Sequence, residues 1–175
     1  MINVKQFVPS KVCLSCDGCC RFKEETSAWR PKISREEVNN GVGQGLAEEI
    51  FSKVVDLNTR AIKTTPCQEG HCCSFLNRQE NTCRIYPNRP WECQLYPFIL
   101  TKHDGKIAVA VHHLCPFVQD KYETSDYVDY VYYLKEFFKQ VEVKDFLNRN
   151  PALIGDYTKY QDEIEYLFAI EPPPR

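Results

Sequence analysis

Ten cysteines lie between positions 13 and 115 of this 175-residue chain, and none follows. Four of them fall in one short stretch, Cys13-Leu-Ser-Cys16-Asp-Gly-Cys19-Cys20, where Gly18 gives the backbone freedom to curl around an ion. The thiolate is the metal-binding form of cysteine, and gathering several at one centre drives off their protons while closing a tight loop. Three or four of these thiols can reach one centre. A second group, Cys67, Cys72, Cys73, Cys83 and Cys93, is more widely spread, and Cys115 stands directly before Pro116. Side chains of adjacent residues in an extended segment point to opposite faces. The pairs Cys19-Cys20 and Cys72-Cys73 can therefore each serve two sites, or supply one ligand and one bystander.

The triplet C-x2-C-x2-C resembles the local arrangement in bacterial ferredoxins, where a remote cysteine, often followed by proline, completes a four-thiolate set. A longer resemblance is carried by several motifs in order. They are Cys13-x2-Cys16-x2-Cys19-Cys20, Cys73-Ser-Phe-Leu, Cys83-Arg-Ile-Tyr86, Arg89-Pro90-x2-Cys93, Tyr96-Pro97-Phe98 and Cys115. Together these resemble the CxxCxxCC cysteine-cluster family of zinc- or iron-chelating proteins, whose motifs are related to those of flagellin lysine N-methylases. The resemblance implies eight metal ligands: Cys13, Cys16, Cys19, Cys20, Cys73, Cys83, Cys93 and Cys115. Cys67 and Cys72 lie outside it.

Eight thiolates match two four-cysteine sites, each holding a [4Fe–4S] cluster or a tetrahedral zinc ion. One cluster plus structural thiols fits the same count. The triplet and the remote Cys-Pro favour iron–sulfur over zinc, and zinc over disulfides. Of the histidines, His71 adjoins Cys72 and His112-His113 precede Cys115, so each can be a ligand, support a ligand by hydrogen bonding, or be a polar residue near a turn. Arg89 can donate to a cluster sulfur or to a nearby carbonyl, or form a surface salt bridge.

Composition narrows the function. A net charge of −2 without a run of Lys or Arg gives no pull towards nucleic acid. No stretch approaches 18 apolar residues, and the start, MINVKQFVPSKVCLSC, lacks the basic-then-apolar pattern of a secretory signal. The expectation is a soluble, cytoplasmic chain without membrane contact. In that compartment disulfides rarely persist, and clustered cysteines point to metal chemistry.

The elements that must position these thiols are short. Ser34 with Glu37 three residues on is a capping box, so a helix starts there. Gly41-Val-Gly-Gln-Gly45 reads as its C-cap and linker rather than a phosphate loop, and a second helix is expected over 46–55 with Leu46, Ile50 and Val54 on one face. Strands are expected at Ala61–Thr65, Ser74–Leu76 and Thr82–Tyr86, with residues 77–81 as the last turn. A hairpin of Pro97–Thr101 and Lys106–His112 turns at His103-Asp-Gly105, and residues 89–93 form one or two helical turns. Beyond residue 120, Tyr127, Val131, Leu134, Phe138 and Val141 share one helical face with Ser125 or Asp126 as cap. Tyr157, Tyr160, Ile164 and Leu167 share a second, ending before the 171–175 tail.

The expected fold is α+β: one small domain with an irregular metal-stapled core of short β-hairpins over residues 13–115, and a C-terminal pair of amphipathic helices over 120–170. The expected function is a metal-binding protein with one or two iron–sulfur clusters in a structural or electron-transfer role, working with a protein or redox partner. A zinc-stabilised protein-interaction module is the first alternative. The methylase resemblance supplies the second, a lysine N-methylase-like enzyme using S-adenosylmethionine, although no glycine-rich nucleotide fingerprint is present. No catalytic residue can be assigned from the sequence.

Overall fold

The computed structural model describes residues 2–16, 18–51 and 53–171. It is mixed helix and strand, as expected, and the chain packs into two compact units. The first unit is Val8–Gln94; the second is Ile2–Phe7 with Leu95–Arg175.

The first unit is built from very short elements. Helix α1 (Ser10–Leu14) leads into a 3-10 turn at Gly18–Cys20. Strand β1 (Arg21–Phe22) is followed by β2 (Lys32–Ser34), and the expected capping box starts helix α2 (Arg35–Gly43). Ser34 Oγ accepts from the Glu37 amide at 3.3 Å, and Glu37 Oε2 accepts from the Ser34 amide at 2.9 Å. The glycine run does not break the helix at Gly41. That residue is helical and buried because a Cβ there would stand 3.1 Å from Phe51 and 3.2 Å from Leu46. The helix ends instead at Gln44, with Gly45 at φ +91° in the left-handed conformation that terminates helices.

The helix expected over 46–55 is a correction. Only Glu48–Ile50 makes a 3-10 turn, and β3 (Lys53–Val54) then pairs with β4 (Thr59–Ala61), which pairs in turn with β2. A run of β-branched valines satisfies its backbone better in that sheet than in a helix. The side chain of Val54 lies outside the described residues, as does the 172–175 tail.

The expected strand at 61–65 is divided. Ile62 donates to Pro31 and Lys63 to Ile50, so the chain changes sheet before β5 (Thr64–Cys67) begins. Strand β6 (Gly70–Cys73) sits between β1 and β5, which takes up Cys72 and Cys73 and leaves Ser74 to donate to Lys63. The next hairpin, β7 (Leu76–Asn77) with β8 (Thr82–Cys83), turns through residues 78–81, Asn77 of the expected turn pairing with Thr82 instead, and Asn81 is at φ +56°. Strand character stops at Cys83, and Tyr86–Asn88 is a 3-10 turn leading to helix α3 (Trp91–Leu95). The core joins Phe22, Ile33, Val38, Phe51, Ile62, Phe75, Leu76 and Ile85 to Cys72 and Cys73, with Cys20, Cys67 and Cys83 packed against it.

In the second unit the expected hairpin forms from β9 (Phe98–His103) and β10 (Lys106–His112), with Asp104 and Gly105 both at positive φ. Helices α4 (Pro116–Lys121), α5 (Ser125–Phe137) and α6 (Val141–Arg149) follow. The C-terminal helix pair is thus α5 and α6. Helix α5 buries Tyr127, Tyr130, Leu134 and Phe137, and α6 buries Val143, Phe146 and Leu147, whereas Val141, the first residue of α6, is exposed. Thr124 occupies the cap position of α5 without a side-chain cap bond; its hydroxyl donates to Lys121.

The helix expected through Tyr157 and Leu167 is the second correction. Thr158–Glu163 is a 3-10 segment, and Ile164–Ala169 forms strand β11, the second partner of β10. Strand β10 is buried over five consecutive residues, Ala108–His112. A central strand of that kind needs a partner on each edge, and this demand outweighs the helical spacing of the aromatics. The N-terminal segment 2–7 completes the unit: Phe7 packs on Phe98, Phe117, Tyr127 and Tyr130, and the Tyr130 hydroxyl donates to the Lys5 carbonyl. No helix among the described residues is long and apolar enough to cross a membrane.

Candidate metal centre

Seven of the eight expected ligands belong to the first unit. Cys13 ends on α1, Cys16 follows it in the loop, and Cys19 and Cys20 lie on the 3-10 turn. Cys73 closes β6, Cys83 closes β8, and Cys93 sits in the middle of α3. Cys115 belongs to the second unit, buried at the N-cap of α4, with its amide donating to His112 at 3.3 Å.

The thiols of the first unit are electrostatic neighbours. Cys93 stands in the field of Cys19, Cys73 and Cys83; Cys73 in that of Cys83 and Cys19; Cys83 in that of Cys19 and Cys13. Cys19, Cys73, Cys83 and Cys93 are therefore all mutually coupled. Cys13 and Cys16 couple to each other and to Cys19, and Cys20 couples to Cys19. Cys19 is common to both sets, and Cys13 also reaches Cys83. The fold has brought residues of the N-terminal stretch near three from the hairpins and α3.

Burial pushes the Cys73 thiol up to about 12, opposed by the backbone N–H groups of Phe75 and Leu76, which hydrogen-bond to its sulfur. Burial likewise raises Cys83, opposed by the Ile85 amide, and raises Cys93 well above the usual thiol range. Cys19 is raised first by a hydrogen bond with the Cys20 thiol and then by burial. Cys13 is raised by burial and by Cys19, against a hydrogen bond from Tyr86 and the Arg89 guanidinium. Buried sulfurs that already receive N–H donors are suited to carry negative charge once a cation replaces their protons. Among the described residues no three His, Cys, Asp or Glu side chains are closed into a ready-made ion cage. The donor set nonetheless fits a soft-ligand metal: it is all thiol, and the Cys73 and Cys83 sulfurs accept from backbone amides.

These features fix the family. The CxxCxxCC family, described as a putative zinc- or iron-chelating domain, matches residues 12–125. The chain belongs to this family. No curated protein and no solved structure matches it. The matched span contains all ten cysteines, and metal binding by this cysteine cluster is the activity that membership supports.

Two cysteines outside the family pattern have a separate role. Cys67 and Cys72 form a disulfide across the β5–β6 hairpin, with their Cα atoms 6.0 Å apart. For this pair the disulfide, the least favoured reading of the cysteines by sequence, is the one the structure adopts. Strand pairing sets the two Cα atoms within the range a disulfide spans. The other eight cysteines are thiols.

The histidines divide. His112 Nδ1 is 2.9 Å from the Tyr96 hydroxyl and its Nε2 is 3.5 Å from Glu163; His113 Nε2 is 3.0 Å from Glu165. His103 stacks on Tyr166. These contacts give His103, His112 and His113 a local structural partner each, whereas His71, on β6 beside Cys72, has a buried Nδ1 with no hydrogen-bond partner among the described residues.

Two groups near the thiols were not foreseen. Glu92, adjacent to Cys93, accepts from the Lys32 amide at 2.6 Å; its enclosed carboxyl is pushed up to about 7 by burial, with Lys32 acting in the opposite direction. Glu37 accepts from the Trp91 amide at 2.6 Å as well as from Ser34, so the capping box also ties down the start of α3. The capping motif revealed Glu37 locally. Nothing local indicated that α3 would dock on it.

Proposed function

We propose that this protein holds a cysteine-ligated iron–sulfur cluster at Cys19, Cys73, Cys83 and Cys93, and that the cluster staples the first unit. The mutual coupling of those four thiols is the observation that carries this reading. A structural role is supported by the construction of the unit, whose described strands run two to four residues and whose longest helix has nine. Elements so short bury little apolar surface, and small cores of this kind gain from a metal cross-link. A bound cluster would supply the cross-link and, if it cycles, one-electron transfer.

Cys13, Cys16 and Cys20 flank this set, with Cys16 exposed to solvent. They are the thiols of the family's eight-cysteine pattern that this set leaves over in the first unit. We infer a reducing compartment, the cytoplasm, from the eight thiols that lie outside the Cys67–Cys72 disulfide.

Anaerobic purification followed by measurement of iron, zinc and acid-labile sulfide tests the proposal. Equimolar iron and sulfide, lost together in Cys93→Ser, is the expected result. Stoichiometric zinc without sulfide replaces the cluster with a zinc ion in the same thiolates, and a chain that retains neither metal overturns the reading.

A further inference from the structure

Strand register sets Thr64 against Cys73. The two residues are directly opposite in the β5–β6 ladder, so their side chains leave the sheet on the same face. The Ser74 amide donates to the Lys63 carbonyl at 3.0 Å, and the alternation of an antiparallel ladder then makes Thr64–Cys73 a non-hydrogen-bonded pair. Pairs of that kind bring their Cα atoms to about 4.5 Å and their side chains closest together.

Thr64 is enclosed, with 7% of the residue exposed, yet its Oγ1 has no hydrogen-bond partner among the described residues. A buried hydroxyl without a partner costs stability, and valine would fill the same shape without that cost. Strand preference favours valine as well. His71 lies on the same face of β6, two residues before Cys73, and its Nδ1 is a second buried atom without a partner among the described residues. The face around Cys73 thus holds hydrogen-bonding capacity that these neighbours leave unused. A neutral thiol is a weak acceptor, whereas a thiolate is a strong one. The Thr64 hydroxyl can turn about χ1 to meet it.

We propose that Thr64 is a positioning residue of the thiolate centre: its hydroxyl donates to the Cys73 sulfur once that sulfur is a metal-bound thiolate, and so fixes the direction in which the sulfur points. This rests on the metal-binding reading above and adds to it a residue that is not itself a ligand.

The test loads the full-length protein anaerobically with Co²⁺ alone as probe. Wild type, Thr64→Val and Thr64→Ser are compared by affinity in competition with a chelator, by the position of the sulfur-to-cobalt absorption band, and by the urea midpoint of the metal-free protein. Loss of a group that orients a ligand typically weakens metal binding 10–100-fold. Thr64→Val is therefore expected to bind Co²⁺ at least about 10-fold more weakly. Its band should move to longer wavelength, because the sulfur lone pair is no longer stabilised by a hydrogen bond. Without metal, the same variant should unfold at a higher urea midpoint than wild type, having lost an unsatisfied hydroxyl. Thr64→Ser keeps the hydroxyl and should keep the wild-type band and affinity.

Wild-type affinity and an unmoved band in Thr64→Val overturn the proposal, as does weaker binding that comes with a lower urea midpoint and an unmoved band, the signature of a packing role. If Thr64→Val does not fold, Thr64→Ala compared with Thr64→Ser decides by affinity and band. A wild-type chain that takes up no Co²⁺ overturns the metal reading together with this one, whereas equal loading and an equal band in all the variants overturn the role of Thr64 alone.

Discussion

Loading the centre should release protons in a number set by how many buried thiols it uses. In the metal-free fold Cys73 titrates near 12, and Cys19, Cys83 and Cys93 are also raised, the first by its hydrogen bond with Cys20 and the others by burial. At pH 7 all four therefore carry protons. Removing the one on Cys73 alone costs about 7 kcal/mol, five pH units at roughly 1.4 kcal/mol each. A cation that takes all four thiolates must displace about four protons, and its apparent binding constant should rise about 10⁴-fold per pH unit near neutrality. A site using two thiols would release about two and rise about 100-fold per unit. Calorimetric titration of Zn²⁺ into the reduced protein, in buffers of different ionisation enthalpy at pH 6, 7 and 8, counts the protons directly. Release of two or fewer per ion, or affinity independent of pH, would refute the four-thiol centre. Without metal, the sign runs against the fold. As pH rises past 9 the unfolded chain's thiols ionise first while the buried ones stay protonated, so stability present below pH 9 is lost progressively towards pH 12.

Two further perturbations test what supports the centre. Glu92 ionises near 7 in the fold against 4.5 as an ordinary carboxyl, so the stability present below pH 4.5 is lost as pH rises to 7, by about 3 kcal/mol; urea unfolding should find Glu92→Gln level with wild type near pH 4.5 and about 1–3 kcal/mol more stable at pH 8. Gly70 has φ +125°, and a Cβ there would stand 2.4 Å from the Phe22 carbonyl oxygen; Gly70→Ala should destabilise the chain by about 2–4 kcal/mol, read as a lower urea midpoint.

Signals that act within a few residues were legible in the sequence. Ser34 and Glu37 announced a helix start and Asp104-Gly105 a hairpin turn, because each depends on backbone geometry across one turn, and the spacing of Cys13, Cys16 and Cys19 pointed to the cysteine-cluster family. The family pattern extended this to eight cysteines but not to which of them lie near one another. That required tertiary structure: Cys19, Cys73, Cys83 and Cys93 are separated by up to 74 positions, and only the placement of the Gly18–Cys20 turn, β6, β8 and α3 makes them neighbours. The same limit explains the two displaced helices. Residues 46–55 and 157–167 carry helical spacing, yet β4 and β10 each needed a hydrogen-bonding partner, and an unsatisfied strand edge outweighs local periodicity. Pairing of Cys67 with Cys72 and the enclosure of Glu92 were likewise decided by strand register and burial. The residue types determined what chemistry was available; long-range packing determined which sulfurs meet and what charge surrounds them.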